Sequence, residues 1–345
     1  MSRICLYYKP HPETDRWVSG DRFVRPLVRR IIRGKPRPGG VDRVFLNLKL
    51  GLDRLGLDYL VNLPFSKLRP DDRVGVIGRG RHVLEGYDRP NPIVGAIALM
   101  THPSEWPTLC DEYPVVTYLS HCEWVNDLYR PYFGDRCMLW AVGIDTQEWA
   151  PATNVKKSVD VLIYDKTRRF RDSHAELHRA VGAAIRTLGL TSETLVYGQY
   201  SPAEFKESLA RSRCMAFLSA HESQGLAYQE AMSMGVPIVA WDPGICEDPE
   251  RFKWGTPHIA TTTVPFFEPR CGVRFRLPGE FADALALVLE QSRAGELDPR
   301  SYVLDRLTVE RASGHFVDYL NESRTPAGMA RISPLARRPE LVANS

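Results

Sequence analysis

Short apolar runs alternate with longer stretches of helical spacing along most of this chain. Arg3 to Tyr8 reads as a buried strand at the start. After an Arg- and Pro-rich segment, Gly39-Gly40 opens VDRVFLNLKLGLDRLG, where Val44, Leu46, Leu48, Leu52 and Leu55 share one helical face. Strands are predicted at Leu57 to Leu63, Arg73 to Ile77, Ile93 to Met100, Val115 to Leu119 and Met138 to Val142. Ser120 and Glu123 have capping-box spacing, so a helix is expected to start there. A second series follows: a strand from Val159 to Tyr164, a helix from about Ser173 to Leu188, and a strand from Thr194 to Tyr197. Ser201-Pro202-Ala203-Glu204 combines a capping box with Pro at the first helical position. Cys214 to Ser219 and Val236 to Ala240 are further strands; Ala282 to Gln291 and Thr308 to Asn321 are further helices. Strands alternating with helices predict an α/β protein with two parallel sheets, each covered on both faces.

The segment His221 to Ala240, HESQGLAYQEAMSMGVPIVA, concentrates the chemistry. Between Glu222 and Asp242 the one charged residue is Glu230, set among Leu226, Ala227, Tyr228, Met232 and Met234. A carboxylate in such a run is costly to bury unless a polar group meets it. Gly225 is placed to open a helix and Gly235 to close it, with Pro237 beyond. Glu222 then stands just before the helix and Glu230 inside it. Their spacing corresponds to about 12 Å of helical rise, roughly the span of a nucleoside diphosphate with a sugar. The helix N-terminus offers backbone N–H groups to a diphosphate.

Ser219, Glu222, Gly225, Leu226, Glu230, Ala231, Met232, Gly235 and Pro237 fall on the pattern E-G-F-G-L-x-x-x-E-A-M-x-x-G-x-P, preceded by a serine-bearing strand end. The segment thus resembles the Glu-x7-Glu element of the retaining GT-B glycosyltransferases, group 1 or family 4-like. Ser223 and Gln224 replace the family's Gly and Phe. GIDTQEWAP resembles the family's interdomain phrase N-G-[IV]-D-x-x-x-F-x-P, with Val142 in the place of Asn. The resemblance implies two Rossmann-like doubly wound domains facing a cleft, with a C-terminal helix crossing back. On it, residues 1–151 form an acceptor-binding domain and 152–306 a nucleotide-sugar-binding domain; 307–323 is the crossover helix and 324–345 a tail. It also implies that Glu230 holds the ribose hydroxyls and Glu222 contacts the donor sugar. Gly225 and Leu226 are then at the donor.

Lys166 and Arg168 follow the first strand of the second half, at a carboxyl end where ligands of parallel sheets bind. In the family an Arg and a Lys near this place clamp the diphosphate, in the phrase G-R-x-x-x-x-K-G. YDKTRRFRD carries its charges at a different spacing. Fixed cations suit the reaction, because glycosyl transfer releases a diphosphate. Gly39-Gly40 resembles the family's N-terminal glycine loop, where the backbone approaches a phosphate or acceptor. His102 and His121 each lie just past a strand, and the family often places a His near the anomeric centre. His102, the candidate catalytic histidine, follows the more apolar strand; His221, before Glu222, is a third candidate for lining the sugar pocket.

Length and composition narrow this reading. The chain has 345 residues, enough for two domains. Its net charge of +3 is too small to indicate nucleic acid as a partner. The N-terminus turns polar too early for a signal peptide, and no apolar run reaches membrane-spanning length. Seven scattered cysteines without a C-x-x-C pair point to reduced thiols in the cytoplasm and away from zinc. From Arg22 to Arg37 seven basic residues and no acid mark a candidate contact with the inner face of an anionic membrane or a lipid-linked acceptor.

The expected activity is therefore transfer of a hexose-type sugar, with retention and without a metal or a permanently bound cofactor. The donor is a nucleotide-diphosphate sugar, UDP or GDP. The acceptor is a carbohydrate, a lipid-linked sugar or a small molecule. Two other readings share the fold: a sugar-nucleotide epimerase, which needs no acceptor, and a non-catalytic nucleotide-sugar-binding protein.

Overall fold

A computed structural model describes residues 2–10, 39–78, 80–168, 172–248, 250–251 and 259–323. The basic stretch Arg22 to Arg37 and the tail from residue 324 lie outside the described residues. The chain divides into two compact units. One comprises Met1–Leu119, Tyr129–Met138 and Ser313–Ser345; the other comprises Ser120–Leu128 and Leu139–Ala312.

The first unit is built on a six-stranded sheet of order β2-β1-β3-β4-β5-β6. Its strands are β1 (Ile4–Tyr7), β2 (Tyr59–Val61), β3 (Arg73–Ile77), β4 (Ile93–Ile97), β5 (Val115–Ser120) and β6 (Cys137–Leu139). β1 lies parallel to β2 and β3, and β4 lies parallel to β3 and β5. Helix α1 (Gly40–Arg54) buries Val44, Phe45, Leu48 and Leu52. Leu46, expected on that face, is exposed, and Phe45 takes the inner place. β4 stops three residues short of its predicted end. Positive angles at Gly95 (φ 111°) and Ala96 (φ 53°) make the strand irregular where its register with β3 shifts, and it ends before Ala98 (φ 59°). The strand expected at Met138 to Val142 is Cys137–Leu139 instead. Two helices follow strands here: α2 (Leu109–Glu112) and α3 (Glu123–Phe133). α3 starts at Glu123 itself, two residues later than a cap at Ser120 would give, and the Ser120 hydroxyl makes no hydrogen bond among the described residues.

The second unit carries a five-stranded sheet of order β11-β10-β9-β7-β8, parallel at every pairing. Its elements run β7 (Val159–Asp165), α4 (Ala175–Thr187), β8 (Ser192–Val196), α5 (Pro202–Arg211), β9 (Ser212–Leu218), α6 (Leu226–Ser233), β10 (Ile238–Trp241), β11 (Gly272–Phe275), α7 (Phe281–Ala294) and α8 (Pro299–Arg306). Side-chain alternation along β9 feeds two cores. Met215 and Phe217 pack with Tyr228 and Met232 on one face. Cys214, Ala216 and Leu218 pack with Leu177, Val181 and Leu285 on the other. Ser201 caps α5 as its sequence requires. Its hydroxyl accepts from Glu204 N–H at 3.1 Å, and the Glu204 carboxylate accepts from Ser201 N–H at 2.5 Å. The helical spacing did not disclose α8, and β11 is four residues long with a half-exposed middle, too short to read as a strand.

In both sheets the chain goes from its first strand to one side and then returns to the other side. β1 sits between β2 and β3, and β7 sits between β8 and β9. The carboxyl ends of β7 and β9 therefore flank a topological switch point, where open parallel sheets bind ligands.

A final helix, α9 (Val309–Glu322), starts in the second unit and continues in the first from Ser313. There Ser313 donates to Leu48 C=O at 3.1 Å, and Phe316 and Leu320 are fully buried. Within the second unit, the chain entering at Leu139 is tied to the chain about to leave. Ile144 N–H donates to Leu307 C=O at 2.7 Å, and the Trp140 indole donates to Ala312 C=O at 2.8 Å. Gly143 allows this approach: a Cβ there would lie 2.3 Å from Val309 Cα and 2.5 Å from Thr308 O. Gly143→Ala is expected to destabilise by about 1–3 kcal/mol through overpacking against backbone that cannot move aside. Chemical denaturation of the full chain checks this.

Candidate functional site

The site forms at the switch point of the second sheet. Asp165, the last residue of β7, accepts from both the N–H and the hydroxyl of Thr167 at 3.0 Å. This turn fixes Lys166, whose N–H continues the ladder onto Leu218 C=O at 2.9 Å. The Lys166 ammonium donates to Glu222 Oε1 at 2.5 Å and stands 4.9 Å from the centre of the Tyr197 ring. Glu222 is 8% exposed. Its carboxylate also accepts from the Ser219 hydroxyl at 3.1 Å, and its backbone C=O accepts from the Trp124 indole at 2.7 Å. A mostly buried carboxylate is thus met by a cation and a hydroxyl, as its desolvation demands.

Gly225 then turns the chain into α6 with φ 75°. A Cβ there would lie 2.0 Å from the Tyr228 ring, so only glycine fits both the angle and the space. The N-cap of α6 is Gly225, which has no side chain to cap the first turn. The helix is buried from Tyr228 to Ser233, with Glu230 at 1% exposure in its second turn. Glu222 lies four residues before Leu226, the first residue of α6. The helical rise between the two glutamates is accordingly shorter than an unbroken helix would give.

Gln224, at the family's Phe position, is 5% exposed and bonds at every turn. Its carbonyl accepts from Val142 N–H at 2.9 Å, and its amide donates to Val142 C=O at 3.1 Å and to Gln229 Oε1 at 2.9 Å. Gln229 returns a bond to Gln224 C=O at 2.6 Å. At the other end of α6, Ser233 donates to Trp149 C=O at 2.8 Å. The segment from Val142 to Trp149 thus holds α6 at both ends.

Of the residues singled out from sequence, Glu222, Glu230, Lys166, Arg168, Gly225 and Leu226 gather in this unit. Arg168 is exposed beyond the Lys166 turn. Gly39, Gly40 and His102 belong to the first unit. The Gly39 N–H donates to Asp42 Oδ2 at 2.5 Å, and the Tyr8 hydroxyl donates to the other Asp42 oxygen. His102 is buried and caps a turn, its Nδ1 accepting from Ser104 N–H at 3.2 Å. Sequence reasoning missed Trp124, which reaches Glu222 from a remote segment. Gln224 was visible as a departure from the family pattern, but its partner was not. Among the described residues, no group of three or more His, Cys, Asp or Glu is placed to hold a metal ion, and no helix is long and apolar enough to cross a membrane.

His121 follows β5, its ring centre 6.2 Å from that of Trp140. Burial pushes its pKa down to about 4, opposed in part by the Trp140 backbone. Its ordinary value is 6.5, so between about 6.5 and 4 the unfolded chain binds more protons than the folded one. This contribution to stability is complete above about 6.5 and is lost as pH falls toward 4. His121→Asn should flatten that acid limb, as read from urea midpoints at pH 7.5 and 4.5. A second expectation concerns Gln224→Leu. It strands the N–H and C=O of Val142 and the Gln229 side chain, each costing about 1–3 kcal/mol when buried. Loss of more than about 2 kcal/mol in urea unfolding is expected.

Residues 180–249 match the sequence model of the family Glycosyl transferases group 1. No curated protein matches the chain. Among solved structures, the pneumococcal O-GlcNAc transferase GtfA in complex with UDP and GlcNAc is similar at 12% identity and a TM-score of 0.50, over 75% of this chain and 58% of that one. A variant of S. aureus TarM in complex with UDP is similar at 12% identity and a TM-score of 0.52, over 81% of this chain and 59% of that one. This chain thus spans about three fifths of the length of those two. Sucrose-phosphate synthase from Thermosynechococcus elongatus is similar at 10% identity and a TM-score of 0.50, over 93% of this chain and 98% of that one. The fold is that of the GT-B glycosyltransferases, two Rossmann-like parallel-sheet domains with a terminal helix returning to the first.

Proposed function

We propose that this chain transfers a hexose-type sugar from a nucleoside diphosphate donor to an acceptor hydroxyl, with retention at the anomeric carbon and without a metal. The observation that carries this reading is the grouping of Lys166, Glu222 and the uncapped start of α6 at one switch point, with Glu230 buried one turn beyond. A diphosphate fits the cation and the helix N-terminus. The ribose hydroxyls fall to Glu230 and the sugar to Glu222, with Arg168 as a further cation for the phosphates. When the bond from the anomeric carbon to the diphosphate oxygen breaks, its electrons go to the diphosphate. Lys166 and the amides of Leu226 and its neighbours stabilise that charge. The acceptor oxygen bonds to the same face, and its proton passes to the departing phosphate. We assign acceptor binding to the first unit, with Gly39, Gly40 and His102 as its candidates.

Two of the similar structures hold UDP, which makes UDP the first probe, followed by GDP and ADP. A thermal-shift screen of the three on the full chain tests the reading. A ligand at 100 times its dissociation constant raises stability by about 2.7 kcal/mol. Glu230→Gln is expected to weaken the bound nucleotide by about 1.5–3 kcal/mol, the worth of a charged hydrogen bond. Glu222→Gln should keep most affinity for the bare diphosphate and lower turnover of the sugar donor. Absence of any nucleotide shift, or unchanged affinity in Glu230→Gln, rejects this function. Sugar-nucleotide conversion without an acceptor would redirect it to an epimerase.

A further inference from the structure

Glu222 stands in the stretch between β9 and α6, which belongs to neither a sheet ladder nor a helix. Regular hydrogen bonds do not fix the backbone there, so side chains must meet its polar groups. The Ser219 hydroxyl lies 2.9 Å from His221 C=O and 3.1 Å from Glu222 Oε1, one proton serving two acceptors. The Trp124 indole donates to Glu222 C=O at 2.7 Å. The Gln224 side chain, two residues on, is bonded to both the N–H and the C=O of Val142. Three successive anchors thus hold the stretch, and the middle one falls on Glu222 itself. Trp124 is the second residue of α3 and lies, like Glu222, in the second unit. Its ring meets the His221 imidazole edge to face, with ring centres 6.1 Å apart, which helps to set the plane of the indole.

These anchors differ in how a bound donor would affect them. The Glu222 side chain is held through Oε1, by the Lys166 ammonium at 2.5 Å and by the shared Ser219 proton. On the proposed function the diphosphate also draws on that ammonium, so the side-chain anchor weakens as the donor binds. The indole has a single N–H, which is committed to Glu222 C=O. It carries no charge, so an anion attracts it far less than it attracts an ammonium. The backbone anchor therefore persists when the donor has taken its share of the cation. We infer that Trp124 is a positioning residue, which keeps Glu222 placed against the donor sugar through the transfer step. This inference rests on the proposed transferase function and adds to it a residue that acts through Glu222. Transfer is sensitive to such placement, since a displacement of about 1 Å can cost about 100-fold in rate.

The test follows binding and turnover on the full chain. Calorimetry measures the affinity for UDP and GDP. Turnover is the release of diphosphate from UDP-glucose, UDP-galactose, UDP-N-acetylglucosamine or GDP-mannose, with water as the acceptor. Trp124→Phe keeps an aromatic ring and removes the N–H. It should leave the diphosphate affinity and the KM for the donor unchanged. It should lower kcat by at least about 2-fold, the low end for a neutral hydrogen bond, and by up to about 100-fold if Glu222 shifts. Replacing Trp124 by benzothienylalanine, which keeps the shape of the indole without its N–H, should cause the same loss; it also serves if the phenylalanine variant fails to fold. Combined with Glu222→Gln, Trp124→Phe should cost less turnover than it does alone, because the two residues act as a unit. An unchanged kcat in both variants lacking the N–H, an equal loss of diphosphate affinity and turnover, or additive losses with Glu222→Gln overturns the inference while leaving the transferase reading intact. If the wild type releases no diphosphate from any of these donors, the inference falls, and the binding of UDP or GDP decides the transferase reading separately.

Discussion

The burial of α6 governs the second unit. Six of its eight residues are inaccessible, and they include Gln229 and Glu230. A helix so enclosed cannot leave its polar groups to water, so the surrounding chain must meet them. Gln224 and Gln229 close a ring of side-chain and backbone bonds with Val142, and the Tyr228 hydroxyl accepts from Phe266 N–H at 3.0 Å. Ser233 and Arg300 secure the far end through Trp149 and the Ser233 carbonyl. The site is precise because its central helix is held by hydrogen bonds at both ends, not by packing alone.

That enclosure also couples residues whose roles looked separable. Lys166 and Glu222 were assigned from sequence to the diphosphate and the sugar, yet they form an ion pair with each other. Removing one leaves the other largely buried and uncompensated, so single substitutions report the pair as much as the residue. On the proposed function, a diphosphate entering between Lys166 and the helix start would compete with Glu222 for the ammonium. Glu222 would then turn toward whatever donor groups accompany the phosphate. Sugar hydroxyls are such groups. On the proposed function, sharing the cation would free the carboxylate to accept hydrogen bonds from those groups.

Much of this was legible in the chain because it rests on local rules. Glycine, helix, glycine and proline in sequence delimited α6, and the capping box located α5. The two parallel sheets followed from alternating strands and helices. What stayed hidden depends on tertiary contacts. Leu46 fits the α1 stripe by spacing but faces solvent, since Phe45 fills the core position better. β4 ends at Ile97, where Ala98 takes up positive φ, which nothing in an apolar run announces. Trp124 lies 98 residues from the carbonyl it binds, and Gln224 lies 82 from Val142. Neither pairing leaves a trace in a single sequence.

The contrast between α1 and α6 shows why similar glycine starts need not make similar sites. Both helices open after a glycine, and both were candidates for receiving phosphate. At α1 the third helical residue is Asp42, which takes the Gly39 N–H and the Tyr8 hydroxyl. Its carboxylate therefore already occupies the position an incoming anion would seek, and like charge repels a second one. At α6 the third residue is Tyr228, whose hydroxyl is bound to Phe266 N–H, and no side chain caps the turn. The positive end of that helix dipole is left to a ligand, with Lys166 reinforcing it. One acidic residue at the third position thus separates a self-satisfied helix start from one poised for a diphosphate. On this argument, the start of α6 suits a phosphate better than the start of α1 does.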